Sequence, residues 1–275
     1  MASPGTGGSG PPSPTVTRVE LPVDTRATTG TTNAYLANGL LVDPAVRTDD
    51  LDEAAASHGS ADGSGIEAVA VTHTHPDHVG AVADYADRTD ATVHAHADHV
   101  ERFRDATGTE PDETFRDGDT LGTTGVRALD TPGHAPDHVA FVVEEEDDPA
   151  TAALVGDLAV AEGSVVVGAP EGNLREYLAS LERVRDSGFD RLYPGHGPTI
   201  EDPTTTCERL IDHRLAREER VLAAVEAGAA DVDAVLEAAY DKDLTGVADL
   251  ARATVRTHLE KLAAEGRIDA AWDDG

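Results

Sequence analysis

The chain carries one cysteine, Cys207, among 275 residues. It can form neither an internal disulfide nor an all-thiolate zinc site, so any metal must be held by histidine and carboxylate. Lysine is nearly absent, with Lys242 and Lys261 the only two, and aromatic residues make up only 4%. Burial therefore falls mainly to alanine, valine and leucine. No stretch approaches the ~18 uninterrupted apolar residues that a membrane helix needs. Met1–Pro14 is rich in Gly, Pro and Ser and lacks the basic and apolar regions of a signal peptide. These absences lead to the expectation of a cytoplasmic protein with no membrane partner. Positive charge is scarce too: 21 Lys+Arg stand against 53 Asp+Glu, a net charge of −32. Nonspecific coating of nucleic acid or anionic membrane is excluded by that balance at ordinary salt.

What the chain has in quantity is aspartate and histidine, with twelve histidines in all. The acidic, lysine-poor composition resembles that of proteins from halophilic archaea. Hydrated carboxylates keep such surfaces soluble in molar salt, where the Debye length falls to about 3 Å. On that reading the charge reports habitat rather than substrate.

At about 150 residues per domain, the length allows one large domain or two modest ones. Residues 1–15 offer nothing to bury and are expected to be disordered. From Val16 to about residue 203, short β-rich runs alternate with helical or turn segments. Leu40–Val42, Ala68–Val71, Ala91–His94, Val139–Val143 and Ala153–Val155 are such runs. Strands mixed with helices in this way predict an α+β fold of sheet layers covered by helices. Residues 204–275 read differently. Leu210, Ile211, Leu215, Leu222 and Val225 recur at helical spacing, and two further helical patterns follow: Val232 to Ala239, then Val247 to Leu262. Gly266 is a C-cap signal, and Arg267-Ile268 with a tail containing Trp272 predicts a terminal β-ribbon. Three helices and a ribbon describe a small winged-helix-like domain. Residues 1–208 carry 12 basic and 38 acidic side chains, a net −26 of the chain's −32.

The segment Val69-Ala70-Val71-Thr72-His73-Thr74-His75-Pro76-Asp77-His78 carries the most chemistry. An apolar strand is predicted to end in His73-x-His75, whose spacing of two points both imidazoles to one side. A turn then presents Asp77 and His78 before a helix starts. Imidazole and carboxylate suit zinc, iron or manganese, and two such pairs can serve two adjacent ions. Further ligands are sought in Gly/Pro turns after apolar runs, where His134, Asp157 and His196 stand.

The ordered set Asn33-Ala34-Tyr35-Leu36, Leu41-Val42-Asp43, His73-x-His75-x-Asp77-His78, His134, Asp157 and His196 resembles the metallo-β-lactamase superfamily over residues 16–200. The resemblance implies a four-layer αββα sandwich with metals at one edge. It implies that His73, His75 and His134 hold one Zn2+, that Asp77, His78 and His196 hold a second, and that Asp157 bridges them; iron or manganese are the alternatives. Asp157 stands where the antibiotic-hydrolysing subgroup has cysteine, so penicillin is a poor substrate expectation. The implied chemistry is hydrolysis by a hydroxide held between the cations, oriented by Asp77.

Asp137-His138, Tyr193-Pro194-Gly195-His196-Gly197-Pro198, Asp212-His213-Arg214, Arg217-Glu218 and His258–Ile268 resemble the branch called β-lactamase-like protein 2. That branch adds a winged-helix domain and includes an endoribonuclease, which implies single-stranded RNA as substrate. Alternatives are a glyoxalase II-type thioester or acyl hydrolase on a small molecule, a mononuclear-iron persulfide dioxygenase, and a DNA-binding regulator with a sensor domain. His138 is either a proton donor or, by preference, a group that orients a neighbouring ligand. His94, His96 and His99 are read as surface or packing residues, and Tyr177 and Tyr193 as core. His213, Arg214 and Arg217 face either an anionic substrate or solvent and salt bridges. Arg252, Arg256, Lys261 and Arg267 are candidate phosphate contacts, though Asp249, Glu260 and Glu265 share the stretch. The tail could equally shape a cleft or pair two subunits in a homodimer.

Overall fold

The computed structural model describes residues 16–27, 29–58, 65–144, 151–240, 244–269 and 272. The segment expected to be disordered, residues 1–15, lies outside them. Six strands form one sheet in the order β1 (Val16–Pro22), β2 (Thr31–Ala37), β3 (Leu40–Val42), β4 (Ala68–Ala70), β5 (Thr92–His96) and β6 (Glu113–Phe115). The first two pairings are antiparallel and the remaining three parallel. A second sheet runs in the order β10 (Arg191–Pro194), β9 (Thr151–Gly156), β8 (Val139–Glu144) and β7 (Arg127–Asp130).

Residue alternation explains how the sheets stack. Successive strand side chains point to opposite faces. Tyr35, Leu40, Val42, Ala68 and Ala70 of the first sheet therefore meet Phe141, Val143, Ala152 and Leu154 of the second in a core between the sheets. Their neighbours Ala34, Leu36, Leu41 and Val69 face outward, onto Leu51 and Ala55 of α1 (Asp49–Ser57), Val82 and Tyr85 of α3 (Val82–Thr89), and Phe103 of α4 (Val100–Thr107). On the other side Ala140, Val142, Ala153 and Val155 pack under α5 (Leu174–Asp186) and the first half of α6 (Pro203–Glu226). The result is the αββα layering expected from the sequence. Short helix α2 (Pro76–Val79) lies between β4 and α3.

Side-chain caps set several helix starts. Thr48 accepts from the Leu51 N–H at α1, Asn173 from the Arg175 and Glu176 N–H groups at α5, and Asp202 from the Thr205 N–H ahead of Pro203 at α6. Each satisfies donors that a helix N-terminus otherwise leaves unpaired.

The C-terminal region is helical. Val221 and Ala224 at the end of α6 share a core with α7 (Val232–Ala239) and with Val255, Leu259 and Leu262 of α8 (Ala248–Ala264). Cys207, Leu210 and Ile211 of the same α6 belong to the core under the second sheet. One continuous helix thus crosses from the layered part into the tail. Among the described residues no strand follows β10; residues 270, 271 and 273–275 of the expected terminal β-ribbon lie outside them. Gly266, at φ +68°, closes α8 with the Gly266 N–H on the Ala263 carbonyl and the Arg267 N–H on the Leu262 carbonyl. That closure turns the chain back, and Ile268 and Trp272 pack against the helical core instead of pairing as strands.

Phe141 is fully buried between the sheets and meets Phe115 edge to face at 5.9 Å. Phe141→Ala should cost about 3–5 kcal/mol, as large core truncations do. Urea denaturation of the two proteins measures it; a loss below about 1 kcal/mol would mean that the sheets are not locked through this ring.

Candidate metal centre

The predicted ligands come from loops that leave the same ends of four strands. β4 ends at Ala70, so His73 and His75 lie on the loop beyond it rather than on the strand's last pleats. Two buried carboxylates pin that loop. The Thr72 N–H and hydroxyl donate to Asp43 Oδ1 and Oδ2 (both 2.7 Å), and the Thr74 N–H and hydroxyl donate to Asp137 Oδ2 (3.0 and 2.7 Å). Pro76 then starts α2, which carries Asp77 and His78 in its first turns. His134, Asp157 and His196 follow β7, β9 and β10.

These loops bring all seven residues together. The ligand atoms of His73, His75 and His134 lie within 4.8 Å of one another, as do those of Asp77, His78 and His196, and those of His73, His78 and Asp157. Asp157 stands between the two histidine sets: Oδ1 is 3.7 Å from His78 Nε2, while Oδ2 is 3.7 Å from His134 Nε2 and 3.4 Å from His196 Nε2. His196 Nε2 is 3.6 Å from Asp77 Oδ2, and the Thr25 hydroxyl donates to that same oxygen.

An outer partner fixes each imidazole. His134 Nδ1–H donates to the Val166 carbonyl (2.7 Å), His196 Nδ1–H to the Thr31 carbonyl (2.7 Å), His78 Nδ1–H to Asp43 Oδ2 (2.9 Å) and His75 Nε2–H to Glu171 Oε2 (3.0 Å). His73 Nδ1 faces the Thr72 hydroxyl at 3.1 Å. With one nitrogen committed outward, the other nitrogen of each neutral ring is bare and faces inward. The bare atoms crowd: His75 Nδ1 is 3.0 Å from both His73 Nε2 and His134 Nε2. His78 Nε2 and Asp157 Oδ1 are buried without a hydrogen-bond partner. Inward-facing imidazole nitrogens around a buried carboxylate oxygen without a partner are what a cation would satisfy once His78 gives up its proton, so the donor set fits a metal pair.

Charge is tuned accordingly. Burial pushes the His134 imidazole down to about 4 and holds His73 well below its ordinary value, with neighbouring imidazoles adding to the effect at both. At His78 burial opposes the charged form, yet Asp43, Asp157 and Asp77 outweigh it and hold the imidazole up at about 9. Burial would raise the Asp157 carboxyl, but His196, His78 and His134 keep it well below the usual carboxylate range.

His138 lies beside the cluster, not in it. Its Nδ1–H faces the Thr131 hydroxyl at 2.9 Å, and its Nε2 accepts the Asp157 backbone N–H at 3.1 Å. Burial pushes it down to about 3. Its two nitrogens thus tie the Thr131 side chain to the Asp157 loop. His94 is buried, and His96 faces Asp130 at 3.2 Å. Neither they nor His99 join a ligand group among the described residues. Tyr177 is core, with its hydroxyl donating to the Leu158 carbonyl. Tyr193 is also buried and meets the Tyr35 ring at 5.6 Å with the planes inclined at 58°. Arg214 is buried, donates to the Val165 carbonyl and lies over Tyr177, while Arg217 lies 3.7 Å over the Tyr240 ring. Both therefore serve packing, not an open anion site. Three of the four candidate phosphate contacts in the tail are held by carboxylates: Arg252 by Asp233, Lys261 by Glu218 and Glu265, and Arg267 by Glu218.

The sequence reading assigned no role to Asp43, Glu171 or Arg102. Asp43 adopts φ +53° directly after β3, which aims its carboxylate at both Thr72 and His78. Arg102 on α4 binds Asp137 and both oxygens of Glu171, and so ties the His75 partner to the pinned loop. No local spacing connects residues so far apart in sequence.

The chain belongs to the metallo-β-lactamase superfamily, whose profile matches residues 27–196. A "Beta-lactamase-like protein 2 homolog" of Drosophila melanogaster is 31% identical over 218 residues, 74% of this chain and 70% of that one. "Thioesterase pkgB" of Emericella nidulans is 37% identical over 159 residues, 58% of this chain and 42% of that one. For other curated relatives too, the chain spans only about half of their length. Among solved structures, a metallo-β-lactamase family protein from Thermus thermophilus superposes with a TM-score of 0.70 at 27% identity, covering 92% of this chain and 94% of that one.

A Cβ on Gly195 would stand 2.6 Å from Asp157 Oδ1 and 2.8 Å from His78 Cε1. Gly195→Ala should therefore displace both ligands and weaken zinc binding by about 10–100-fold, the usual cost of disturbing ligand support; competition with a chelator of known affinity measures it, and unchanged affinity would mean that the gap is slack. Near pH 7.5 the metal-free His78 is protonated, so binding a metal at its Nε2 must release about one proton, a release that fades as pH rises through about 9. Calorimetry in buffers of different ionisation heat reads this directly. Metal uptake without proton release would place the ion elsewhere.

Proposed function

We propose that the chain is a hydrolase that works with two divalent metal ions, held by His73, His75 and His134 on one side and Asp77, His78 and His196 on the other. The observation that carries this reading is the position of Asp157, whose two oxygens reach toward both histidine sets. Zinc is the metal expected of this imidazole and carboxylate set, with iron and manganese as alternatives. Bound there, the metal pair supplies Lewis acidity toward a scissile carbonyl or phosphoryl oxygen and acidifies a water for attack at neutral pH. The protein's part is positioning. Asp157 balances the charge between the two sets, Asp77 is placed by Thr25 to align the attacking water, and Asp43, Glu171 and the Val166 and Thr31 carbonyls hold the imidazoles in one tautomer.

For the bond that is cut, we favour a thioester or carboxylic ester. The tail cations that would grip a polyanion are largely neutralised within the fold, and the chain's net charge of −32 repels one. Cleavage of single-stranded RNA is the second reading. It is favoured by the resemblance of the tail to the β-lactamase-like protein 2 branch and by the Drosophila relative, which aligns with 74% of the chain. The acidic composition suits work in concentrated salt, so assays belong in molar potassium chloride as well as in dilute buffer.

Zinc-loaded protein screened against acyl thioesters, small esters, an activated phosphodiester and single-stranded RNA separates these readings. A thioester or ester turned over far faster than RNA supports the first, and the reverse order the second. Hydrolysis of none, with one iron per chain and oxygen uptake on a persulfide, would replace both. Asp157→Ala should remove activity on whichever substrate is cut by more than the about 100-fold that loss of an outer partner costs, with one metal lost per chain and the circular dichroism spectrum unchanged. Retained turnover in a metal-verified mutant would contradict the shared-ligand assignment.

A further inference from the structure

Asp249, Ala253 and Thr257 are spaced by four on α8 and therefore lie along one helix face. Each touches a loop that serves the metal centre. Asp249 takes a two-pronged ion pair from Arg26 (2.7 and 2.9 Å), and the adjacent Thr25 donates to Asp77. The Ala253 carbonyl accepts the Ala169 N–H at 3.1 Å. The Thr257 hydroxyl, fully buried, lies 2.9 Å from the Val167 carbonyl and 2.8 Å from the Thr254 carbonyl of its own helix, so its one proton is shared. Helix and loop meet closely here: a Cβ on Gly168 would come within 2.8 Å of Ala253 Cβ.

The loop clasped in this way, residues 165–172, supplies the outer partners of two imidazoles in one triad. The Val166 carbonyl accepts from His134 Nδ1 and Glu171 Oε2 from His75 Nε2. The clasped groups, Val167, Gly168 and Ala169, lie between those two acceptors in sequence. Moving the loop by a fraction of an ångström therefore turns both rings at once, because each ring's direction is set by where its outward N–H finds an acceptor.

We propose that α8 is a positioning element of the metal centre: through Ala253 and Thr257 it sets the loop that aims His134 and His75, so the C-terminal region determines affinity at the His73/His75/His134 site. This rests on the reading that these side chains bind metal. It also gives the tail a task that requires no nucleic acid.

The test uses the full chain, stripped with chelator and titrated with cobalt(II), whose visible absorption bands report imidazole ligation. Wild type, Thr257→Val, Thr257→Ser and Ala253→Leu are compared, with melting temperatures of the metal-free forms taken alongside. The wild type is expected to take up two equivalents. Thr257→Val and Ala253→Leu should weaken one of them by about tenfold or more and change its spectrum, while Thr257→Ser, which keeps the hydroxyl, titrates as wild type. If Ala253→Leu does not fold, the Thr257 pair decides. Variants that melt lower but bind both equivalents with wild-type affinity and spectrum would overturn the proposal and leave the metal centre standing. A wild type that takes up no cobalt would remove the metal centre itself, and the proposal with it.

Discussion

The site depends on one constraint: an imidazole whose outward N–H is bonded to a protein acceptor must turn its other nitrogen inward. Four rings here obey it through strong acceptors, namely the carboxylates of Asp43 and Glu171 and the carbonyls of Thr31 and Val166. The inward nitrogens of His73, His75 and His134 then crowd together, with His75 Nδ1 3.0 Å from each of the other two. Such crowding is unfavourable in an empty fold and favourable around a cation. The acceptors come from β2, from the turn after β3 and from the loop ahead of α5, so the geometry of the site is a property of the whole sandwich.

The sandwich provides this by stacking two sheets whose strand ends open on the same side. β4 comes from one sheet and β7, β9 and β10 from the other, and each delivers its ligand just past its last residue. Glycine permits the closest approaches. At Gly156, with φ +44°, a side chain would strike Thr72 and His138, and at Gly195 it would strike Asp157 and His78. The turns that looked like ordinary Gly/Pro punctuation in the sequence are the places where backbone replaces side chain so that ligands can converge.

Much of this was legible in the sequence, for physical reasons. Short apolar runs such as Leu40–Val42 and Val139–Val143, interleaved with helical segments, marked sheet layers covered by helices, and the resemblance to the metallo-β-lactamase superfamily implied their number; the structure sorts the side chains of those runs onto the two faces of each sheet. The ligands were legible because histidine and aspartate gather after apolar runs, where a strand end places them. The support was not legible. Glu171, Arg102 and Asp43 meet their partners across 29 to 96 positions, and although Leu41-Val42-Asp43 belonged to the family pattern, no local spacing links any of the three to its partner. The tail was legible only in part. Arg267-Ile268 followed by Trp272 suggested a ribbon, whereas Ile268 and Trp272 pack against the helical core after the α8 closure at Gly266. Of the four cations read as candidate phosphate contacts, Arg252, Lys261 and Arg267 pair with Asp233, Glu218 and Glu265, a pairing that composition and spacing do not reveal.

Layers, loops and tail therefore answer to the same small volume at the strand ends. Anomalous diffraction at the zinc edge, from crystals grown with zinc, addresses that volume most directly. The account predicts two peaks, one about 2.0–2.1 Å from nitrogens of His73, His75 and His134 and one at similar distance from His78 and His196, with Asp157 reaching both. A single peak remote from Asp157, or none at the strand ends, would contradict it.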